Sequence, residues 1–251
     1  VPYCRDSGCT KDSCKCGFFT RGEESLLDRL VGSTSGQITP EEIAYIILEP
    51  IQGEGGYYVP SDTCMDEIAR ICEEYNIHLI SDEVQAGVGR TGEWWGADNY
   101  SIEPDVISVA KPARVGATIA NADVFPDEDS RLSSTWGAGD ILATAQGVAT
   151  IDAIQEHNLL QNSIEMGELA SDLFEEMKRD EIVDVRQKGL MIGVEFDSKQ
   201  TRNAVVDAAL QKGLLLLACG NKTIRVLPPL DATEREIRMA IELLIDSADD
   251  I

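Results

Sequence analysis

The chain has 251 residues, of which 43% are hydrophobic, and this suits one large α/β domain or two smaller domains with a real core. Lysine and arginine number 21 against 45 aspartate and glutamate residues, so the formal net charge is -24. This charge argues against a general binder of nucleic acid or of anionic membranes, because phosphate contacts need a basic surface.

Only 8 of the 21 basic residues are lysine, whereas aspartate alone supplies 22 of the acids. A surface rich in acids and poor in lysine repels its own copies and stays soluble in concentrated salt. We therefore predict a cytoplasmic protein of a halophile, with an ordinary acidic protein as the alternative. No stretch approaches the ~20 apolar residues that a membrane span needs.

The first part of the chain has a strand–helix–strand pattern. A polar segment over residues 1–40 contains one short predicted helix near residues 23–31. The continuous apolar run at 43–48 predicts a strand that is buried on both faces. Helical spacing of apolar residues predicts a helix over 62–75. Two further strands are predicted at 78–81 and 106–110, and this order is typical of a parallel, doubly wound sheet.

After residue 140 the pattern changes. A long helix is predicted up to about residue 156, and short strands then alternate with helices. The strands are predicted at 183–185, 190–196, 214–218 and 223–227, and the helices at 163–177, 201–212 and 233–247. We therefore predict two domains, a mostly parallel-sheet domain over 1–156 and a small α+β domain with an antiparallel sheet over 157–251.

The histidines and cysteines limit which metal sites and catalytic triads this chain can form. The only histidines, His78 and His157, are far apart in sequence, which argues against a His-rich metal site and a Ser-His-Asp triad. Four of the seven cysteines crowd the start of the chain, namely Cys4, Cys9, Cys14 and Cys16. Because their spacing matches no standard ligand pattern, we predict no metal site and interpret them as an exposed loop of reduced thiols. A thiolate metal or iron–sulfur site is the alternative.

Two charged residues stand where predicted parallel strands end. Asp82 follows the strand at 78–81, and Lys111 follows the strand at 106–110. Ligands of parallel α/β sheets bind outside the carboxyl ends of the strands. A pyridoxal phosphate site needs a lysine that forms a Schiff base and a carboxylate that keeps a pyridine nitrogen protonated. The run at 87–92 also fits a dinucleotide-binding pattern, but the acids beside it would repel a pyrophosphate.

Three runs, at residues 49–56, 81–92 and 104–111, together resemble the class III pyridoxal phosphate-dependent aminotransferases, which have fold type I. The resemblance extends over the chain to residues 223–230. It implies that residues 1–156 are the C-terminal part of the large pyridoxal phosphate-binding domain.

The resemblance also implies roles for individual residues. Lys111 would form the Schiff base with the cofactor, and Asp82 would pair with the pyridine nitrogen. Val84 would pack on one face of the ring, and Gln85 would bond its phenolic oxygen. Thr135 would reach the cofactor phosphate of the neighbouring subunit in a homodimer.

Some segments depart from the family pattern. The run at 137–140 reads Gly-Ala-Gly-Asp where the family has Gly-Asn-Pro, and residues 112–116 lack the commoner glycine-rich run. Family members are also considerably longer, and their phosphate-cradling turn lies upstream of anything that matches Val1. We therefore expect that an N-terminal part of the protein is missing from this chain.

Arg225 and Glu54 are the candidates for substrate binding. In the 4-aminobutyrate branch of the family, the residue matching Arg225 binds a substrate carboxylate, and Glu54 matches a glutamate that pairs with that arginine when a second carboxylate is absent. An ordinary salt bridge is the alternative interpretation.

The resemblance implies transamination of an ω-amino acid, best 4-aminobutyrate, with 2-oxoglutarate, giving a semialdehyde and glutamate. The alternatives are an acetylornithine, ornithine or lysine aminotransferase, an amino-acid racemase of the same family, and an inactive truncated chain.

Overall fold

The computed structural model describes residues 2–20, 24–32, 37–126, 131 and 137–251. By their contacts these residues form two compact units. One comprises Val1–Pro50, Pro60–Val88 and Trp95–Glu156, and the other comprises Ile51–Val59, Gly89–Trp94 and His157–Ile251. Within the described ranges, no helix combines the length and the apolar character that crossing a membrane requires.

The first unit contains the predicted parallel sheet. Its strands are β1 (Tyr45–Leu48), β2 (His78–Asp82), β3 (Val106–Val109) and β4 (Ala117–Ala120), in that spatial order. The first three strands are parallel, and β4 pairs with β3 in the antiparallel sense. The β4 strand was not predicted from the sequence, because four residues reading Ala-Thr-Ile-Ala carry no clear alternation.

Helices α1 (Leu26–Val31), α2 (Asp62–Tyr75) and α3 (Ile141–Glu156) complete the first unit. The α2 helix begins where the Ser61 hydroxyl accepts a hydrogen bond from the Cys64 N–H, and it ends at Asn76, which adopts the left-handed conformation that terminates many helices. Its buried face packs with β1 and β2 in one apolar core.

Among the described residues nothing covers the opposite face of β1, contrary to the prediction of a strand buried on both faces. Tyr45 is 55% exposed and Ile47 is 47% exposed, whereas the alternate residues Ile46 and Leu48 are buried. Both faces of the strand are apolar, as the run of apolar residues indicates. Among the described residues, however, only the face toward α2 is covered by other side chains.

The second unit is an antiparallel sheet with helices. Its strands are β5 (Ile182–Lys188), β6 (Met191–Phe196), β7 (Leu217–Cys219) and β8 (Thr223–Val226), and their spatial order is β5-β6-β8-β7. Its helices are α4 (Leu159–Glu176), α5 (Lys199–Gln211) and α6 (Glu234–Asp249). The core of the unit is formed by β6 and β8 against these three helices.

Two segments group differently from the predicted division after residue 156. The loops at 51–59 and 89–94 belong by contact to the second unit. The Arg186 guanidinium donates to the carbonyl oxygen of Gly56 at 2.8 Å, and the Leu190 N–H donates to the carbonyl oxygen of Arg90 at 3.0 Å. These bonds join residues that are 100 or more positions apart, so local sequence carries no sign of them.

The N-terminal cysteines do not form the exposed loop that the sequence analysis predicts. Cys4 and Cys9 are 2% and 1% exposed, and Cys14 and Cys16 are half-buried. They are covered because their segment packs with α1 and α2 in the apolar core of the first unit. The physical reason is that a thiol is a small apolar group, which favours burial over solvent.

Candidate active site

The carboxyl ends of the three parallel strands lie in one row. Leu48 of β1 pairs in register with Ser81, and Asp82, the last residue of β2, pairs with Ser108 of β3. Lys111 lies just past the end of β3, in an exposed turn. Asp82 and Lys111 therefore emerge at the same edge of the sheet, where parallel α/β sheets bind their ligands.

The Asp82 carboxylate is held by its own backbone. Its Oδ1 accepts a hydrogen bond from the Val84 N–H at 3.1 Å, an arrangement typical of an aspartate at a turn. Asp82 is half-buried, as are Val84 and Gln85 after it. The short turn thus fixes one carboxylate oxygen and orients the other.

Glu83 anchors the loop that follows Asp82, a role that the sequence analysis missed. The side chain is completely buried. Its Oε1 accepts from the Ser81 hydroxyl and the Ala97 N–H, both at 2.9 Å, and its Oε2 accepts from the Gly96 N–H at 2.7 Å. Burial raises the pKa of Glu83. A sequence signal is Gly96, where a Cβ would lie 3.0 Å from Glu83 Oε2 and 2.7 Å from the Cβ of Ala86.

The turn after Lys111 contains a backbone conformation that favours glycine, although the glycine-rich run is absent there. Arg114 has φ of 62°, which is the left-handed region that favours glycine. The chain keeps a turn that suits glycine but places an arginine in it, at a cost of about 1–2 kcal/mol. The Arg114 N–H donates to the carbonyl oxygen of Lys111 at 3.3 Å, which closes the turn.

Arg225 and Glu54 form an ion pair within the second unit. Arg225 Nη1 contacts Glu54 Oε1. The arginine side chain is 18% exposed and the glutamate side chain 63% exposed. The Nε of Arg225 is buried and has no hydrogen-bond partner among the described residues. The fork of the guanidinium is therefore only partly used by Glu54.

The loop at 51–59, which carries Glu54, is clamped by another arginine that the sequence analysis did not single out. Arg186 on β5 donates to the carbonyl oxygens of Gly56 and Tyr57 at 2.8 and 3.3 Å. Its guanidinium also stacks 4.4 Å from the ring centre of Tyr58. On the other side, the Gly220 N–H donates to the carbonyl oxygen of Glu54 at 2.8 Å.

The run that fits a dinucleotide pattern is a packing loop. The described residues directly after it, 93–95, do not form an α-helix, and Arg90 donates through Nη1 to the carbonyl oxygen of Pro228 at 2.6 Å. Burial lowers the pKa of the Arg90 guanidinium. A Cβ on Gly92, whose φ is 93°, would lie 2.4 Å from Cγ1 of Ile164. The glycine is thus needed for close packing inside the second unit.

The predicted site residues fall into two groups. Asp82, Val84, Gln85 and Lys111 lie at the carboxyl edge of the sheet in the first unit, and Glu54 and Arg225 are paired in the second unit. Thr135 lies outside the described residues.

An open cleft of about 680 Å³ also lies in the first unit, but at the opposite edge of the sheet. It is lined by residues at the amino ends of β2 and β3, including His78, Glu103 and Asp105. The size of a cleft therefore does not mark the candidate site in this unit; the strand ends do.

Residues 18–247 match the family described as aminotransferase class-III. Acetylornithine aminotransferase of Methanosarcina mazei is 41% identical over 207 residues, which are 81% of this chain and 52% of that protein. Alanine/serine racemase of Pyrococcus horikoshii is 35% identical over 82% of this chain and 46% of that protein. The chain thus spans about half the length of these curated relatives.

Solved structures of aminotransferases are also similar to this chain. Ornithine aminotransferase from Plasmodium yoelii has a TM-score of 0.77 and 30% identity, over 84% of this chain and 60% of that one. Lysine aminotransferase from M. tuberculosis has a TM-score of 0.75 and 28% identity, over 83% of this chain and 50% of that one. These likenesses confirm the predicted α/β fold.

Proposed function

Since this chain belongs to the class III aminotransferase family, whose members use pyridoxal 5'-phosphate, we propose that it supplies the part of an active site that holds the cofactor's ring and its amine link. The observation that carries the proposal is the register of β2 and β3, which brings Asp82 and Lys111 to the same edge of the sheet. One Asp82 oxygen is engaged by Val84, and this orients the other toward a donor such as a protonated ring nitrogen.

These residues fit the cofactor chemically. Lys111 would hold it covalently through Nζ, and Val84 and Gln85 would contact the ring face and the phenolic oxygen. When bound, pyridoxal phosphate supplies an electron sink that allows an amino acid to exchange its amino group for an oxo group. We assign Thr135, by resemblance alone, to the cofactor phosphate of a neighbouring subunit.

Two residues of this chain would act on protons. The Asp82 carboxylate keeps the proton on the pyridine nitrogen, since a negative charge favours the protonated form of a neighbouring base. Lys111 Nζ, once a substrate amine has displaced it, takes the proton from the substrate carbon that bears the amine.

We propose that the amine donor is an ω-amino acid whose carboxylate binds Arg225. Glu54 would neutralise Arg225 when no carboxylate is present, and its side chain, which is 63% exposed, could give way to a substrate carboxylate. The names of the relatives favour acetylornithine, with 2-oxoglutarate as the amino acceptor and a semialdehyde and glutamate as products. The second candidate is 4-aminobutyrate, which the Arg225–Glu54 pair favours.

We also propose a homodimer in a salt-rich cytoplasm. On α3, Ile141 is 82% exposed and Leu142 is 75% exposed, and such apolar side chains favour burial in an interface. The net charge of -24 and the low lysine content support a halophilic setting. Seven free thiols are typical of a reducing compartment.

The test is an amine panel with the full-length native protein. N-acetylornithine, ornithine, 4-aminobutyrate and lysine are each supplied with 2-oxoglutarate, and glutamate is measured. We expect glutamate with N-acetylornithine, and we expect Lys111→Ala to reduce the rate by about 10²–10⁴-fold. Lys199→Ala, on an exposed lysine of α5, is the matched control and should leave the rate unchanged.

Two outcomes would contradict this proposal. A Lys111→Ala variant within a few-fold of the parent would remove Lys111 from the chemistry. Racemisation of alanine or serine without glutamate formation from any amine would instead assign the racemase activity. Glutamate formation with 4-aminobutyrate alone would support the second candidate.

A further inference from the structure

Five sulfur atoms converge in the first unit, between the N-terminal segment and α2. Cys16 Sγ lies 3.5 Å from Cys4 Sγ, 3.6 Å from Cys14 Sγ and 3.6 Å from Cys9 Sγ. Cys64, in the first turn of α2, has its Sγ within 4.8 Å of the sulfurs of Cys4 and Cys9. All of these thiols are free. Thiols grouped this closely are near enough to ligate a common metal ion.

The separations fit the ligand shell of a single metal ion. Zinc binds thiolates at about 2.3 Å in a tetrahedron, so its sulfur ligands lie about 3.8 Å apart. The cysteines that bind different irons of an iron–sulfur cluster are farther apart, because iron and sulfide stand between them. Contacts of 3.5 and 3.6 Å between sulfurs therefore favour one ion over a cluster.

The surroundings suit thiolate ligands. The Phe19 N–H donates to Cys14 Sγ at 3.2 Å, and such outer hydrogen bonds orient and stabilise metal-bound sulfur. The segment 2–20 contains three basic residues, Arg5, Lys11 and Lys15, against two acidic ones, in a chain whose net charge is -24. The local charge thus opposes that of the rest of the chain and favours a site that carries negative thiolates.

The segment also lacks regular structure to hold it in place. Residues 2–18 contain neither helix nor strand, although Cys4, Cys9 and Phe18 are each at most 2% exposed. Segments of this kind commonly rely on a metal or on disulfides as cross-links. Two other cysteines among the described residues, Cys72 and Cys219, are also buried, but neither belongs to a group of thiols close enough to hold a metal ion.

We propose that this chain binds one zinc ion through four thiolates, with Cys4, Cys9 and Cys16 as three ligands and either Cys14 or Cys64 as the fourth. The Sγ atoms of Cys4, Cys9 and Cys16 lie within 4.8 Å of one another. Cys14 Sγ lies within that distance of the sulfurs of Cys9 and Cys16, and Cys64 Sγ lies within it of the sulfurs of Cys4 and Cys9. Four protein ligands leave no open position, so the ion is structural. It fixes the segment 2–20 against α2 and takes no part in amine transfer.

The first test is the metal content of the full-length native protein, measured by mass spectrometry of the purified, unchelated sample. We expect one zinc per chain, with loss of zinc in Cys9→Ser and Cys16→Ser. Cys72→Ser is the matched control, since it removes a buried cysteine of α2 outside the cluster, and it should keep its zinc. Of Cys14→Ser and Cys64→Ser, one should lose zinc; loss in neither or in both would contradict a four-thiolate site.

A second test needs no substitution, so it is independent of whether the variants fold. Co²⁺ exchanged for zinc should give the intense visible absorption of a tetrahedral thiolate site. Removal of the metal should speed tryptic cleavage after Arg5, Lys11 and Lys15 by about tenfold or more, because the segment then opens. Absence of zinc, iron with acid-labile sulfide, or a cleavage rate that chelation does not change would each overturn the proposal.

Discussion

Replacement of Glu83 tests whether the loop beyond Asp82 is positioned by a buried carboxylate. Glu83→Ala leaves the backbone N–H groups of Gly96 and Ala97 buried without an acceptor, at about 1–3 kcal/mol each. The Ser81 hydroxyl also loses its partner but can rotate. Part of the cost is returned because the carboxyl no longer has to be desolvated. We expect a loss of about 2–5 kcal/mol in the free energy of unfolding.

Glu83→Gln separates the charge of the side chain from its hydrogen bonds, because glutamine keeps the size of the side chain and one acceptor oxygen. Its amide oxygen can replace Oε1, which serves Ser81 and Ala97, but its NH₂ group then faces the Gly96 N–H, whose nitrogen lies 2.7 Å from Oε2. We expect a loss of about 1–3 kcal/mol, less than for alanine. Glu103→Gln, on an exposed glutamate, should stay within about 0.5 kcal/mol of the parent.

The assay is equilibrium unfolding in urea, followed by far-ultraviolet circular dichroism, on the full-length native protein at constant salt. If Glu83→Ala unfolds at the same urea concentration as Glu103→Gln, the hydrogen bonds of Glu83 contribute nothing to the loop. An equal loss for Gln and Ala would show that the charge of the side chain, and not its hydrogen bonds, is what matters.

Three further outcomes are expected. Asp82→Asn should retain the cofactor but lower turnover by about 100-fold or more, because an amide cannot hold a pyridine nitrogen protonated; turnover within a few-fold of the parent would make Asp82 merely structural. Arg225→Ala should weaken the binding of both the amine donor and 2-oxoglutarate by about 2–5 kcal/mol. Arg225→Lys should recover little of this loss, since an ammonium lacks the planar fork of the guanidinium. Unchanged steady-state constants for both substrates would remove Arg225 from the site. Between dilute buffer and molar KCl, Tm should rise by about 5–10 °C as salt screens the repulsion of 45 acids, and a constant Tm in thermal melts would contradict a halophilic protein.

Elements that depend on local sequence were predicted well. The helix predicted over 62–75 is α2, with the same bounds, because its apolar residues repeat at helical spacing and Ser61 and Asn76 supply the two caps. The α4 helix begins at Leu159, four residues before its predicted start, since Asn158 already turns the chain in the left-handed conformation. Boundaries of this kind depend on the backbone conformation of a single residue.

Features that depend on distant contacts could not be predicted. The clamp of Arg186 on the loop of Glu54 joins residues about 130 positions apart. The approach of Cys64 to the N-terminal cysteines depends on how α2 packs, which no cysteine spacing encodes. At the candidate site, the residue types and their order pointed to Asp82 and Lys111, but only the strand register shows that they share one edge of the sheet.

Reduction of the full-length native protein with borohydride, followed by peptide mapping, tests the central claim most directly. The reagent fixes pyridoxal phosphate to the lysine that holds it, and the chain offers 8 lysines. We predict that the cofactor-derived mass lies on the peptide containing Lys111 and is lost in Lys111→Ala. A label on any other lysine, or no label on protein that transaminates, would contradict the assignment of Lys111.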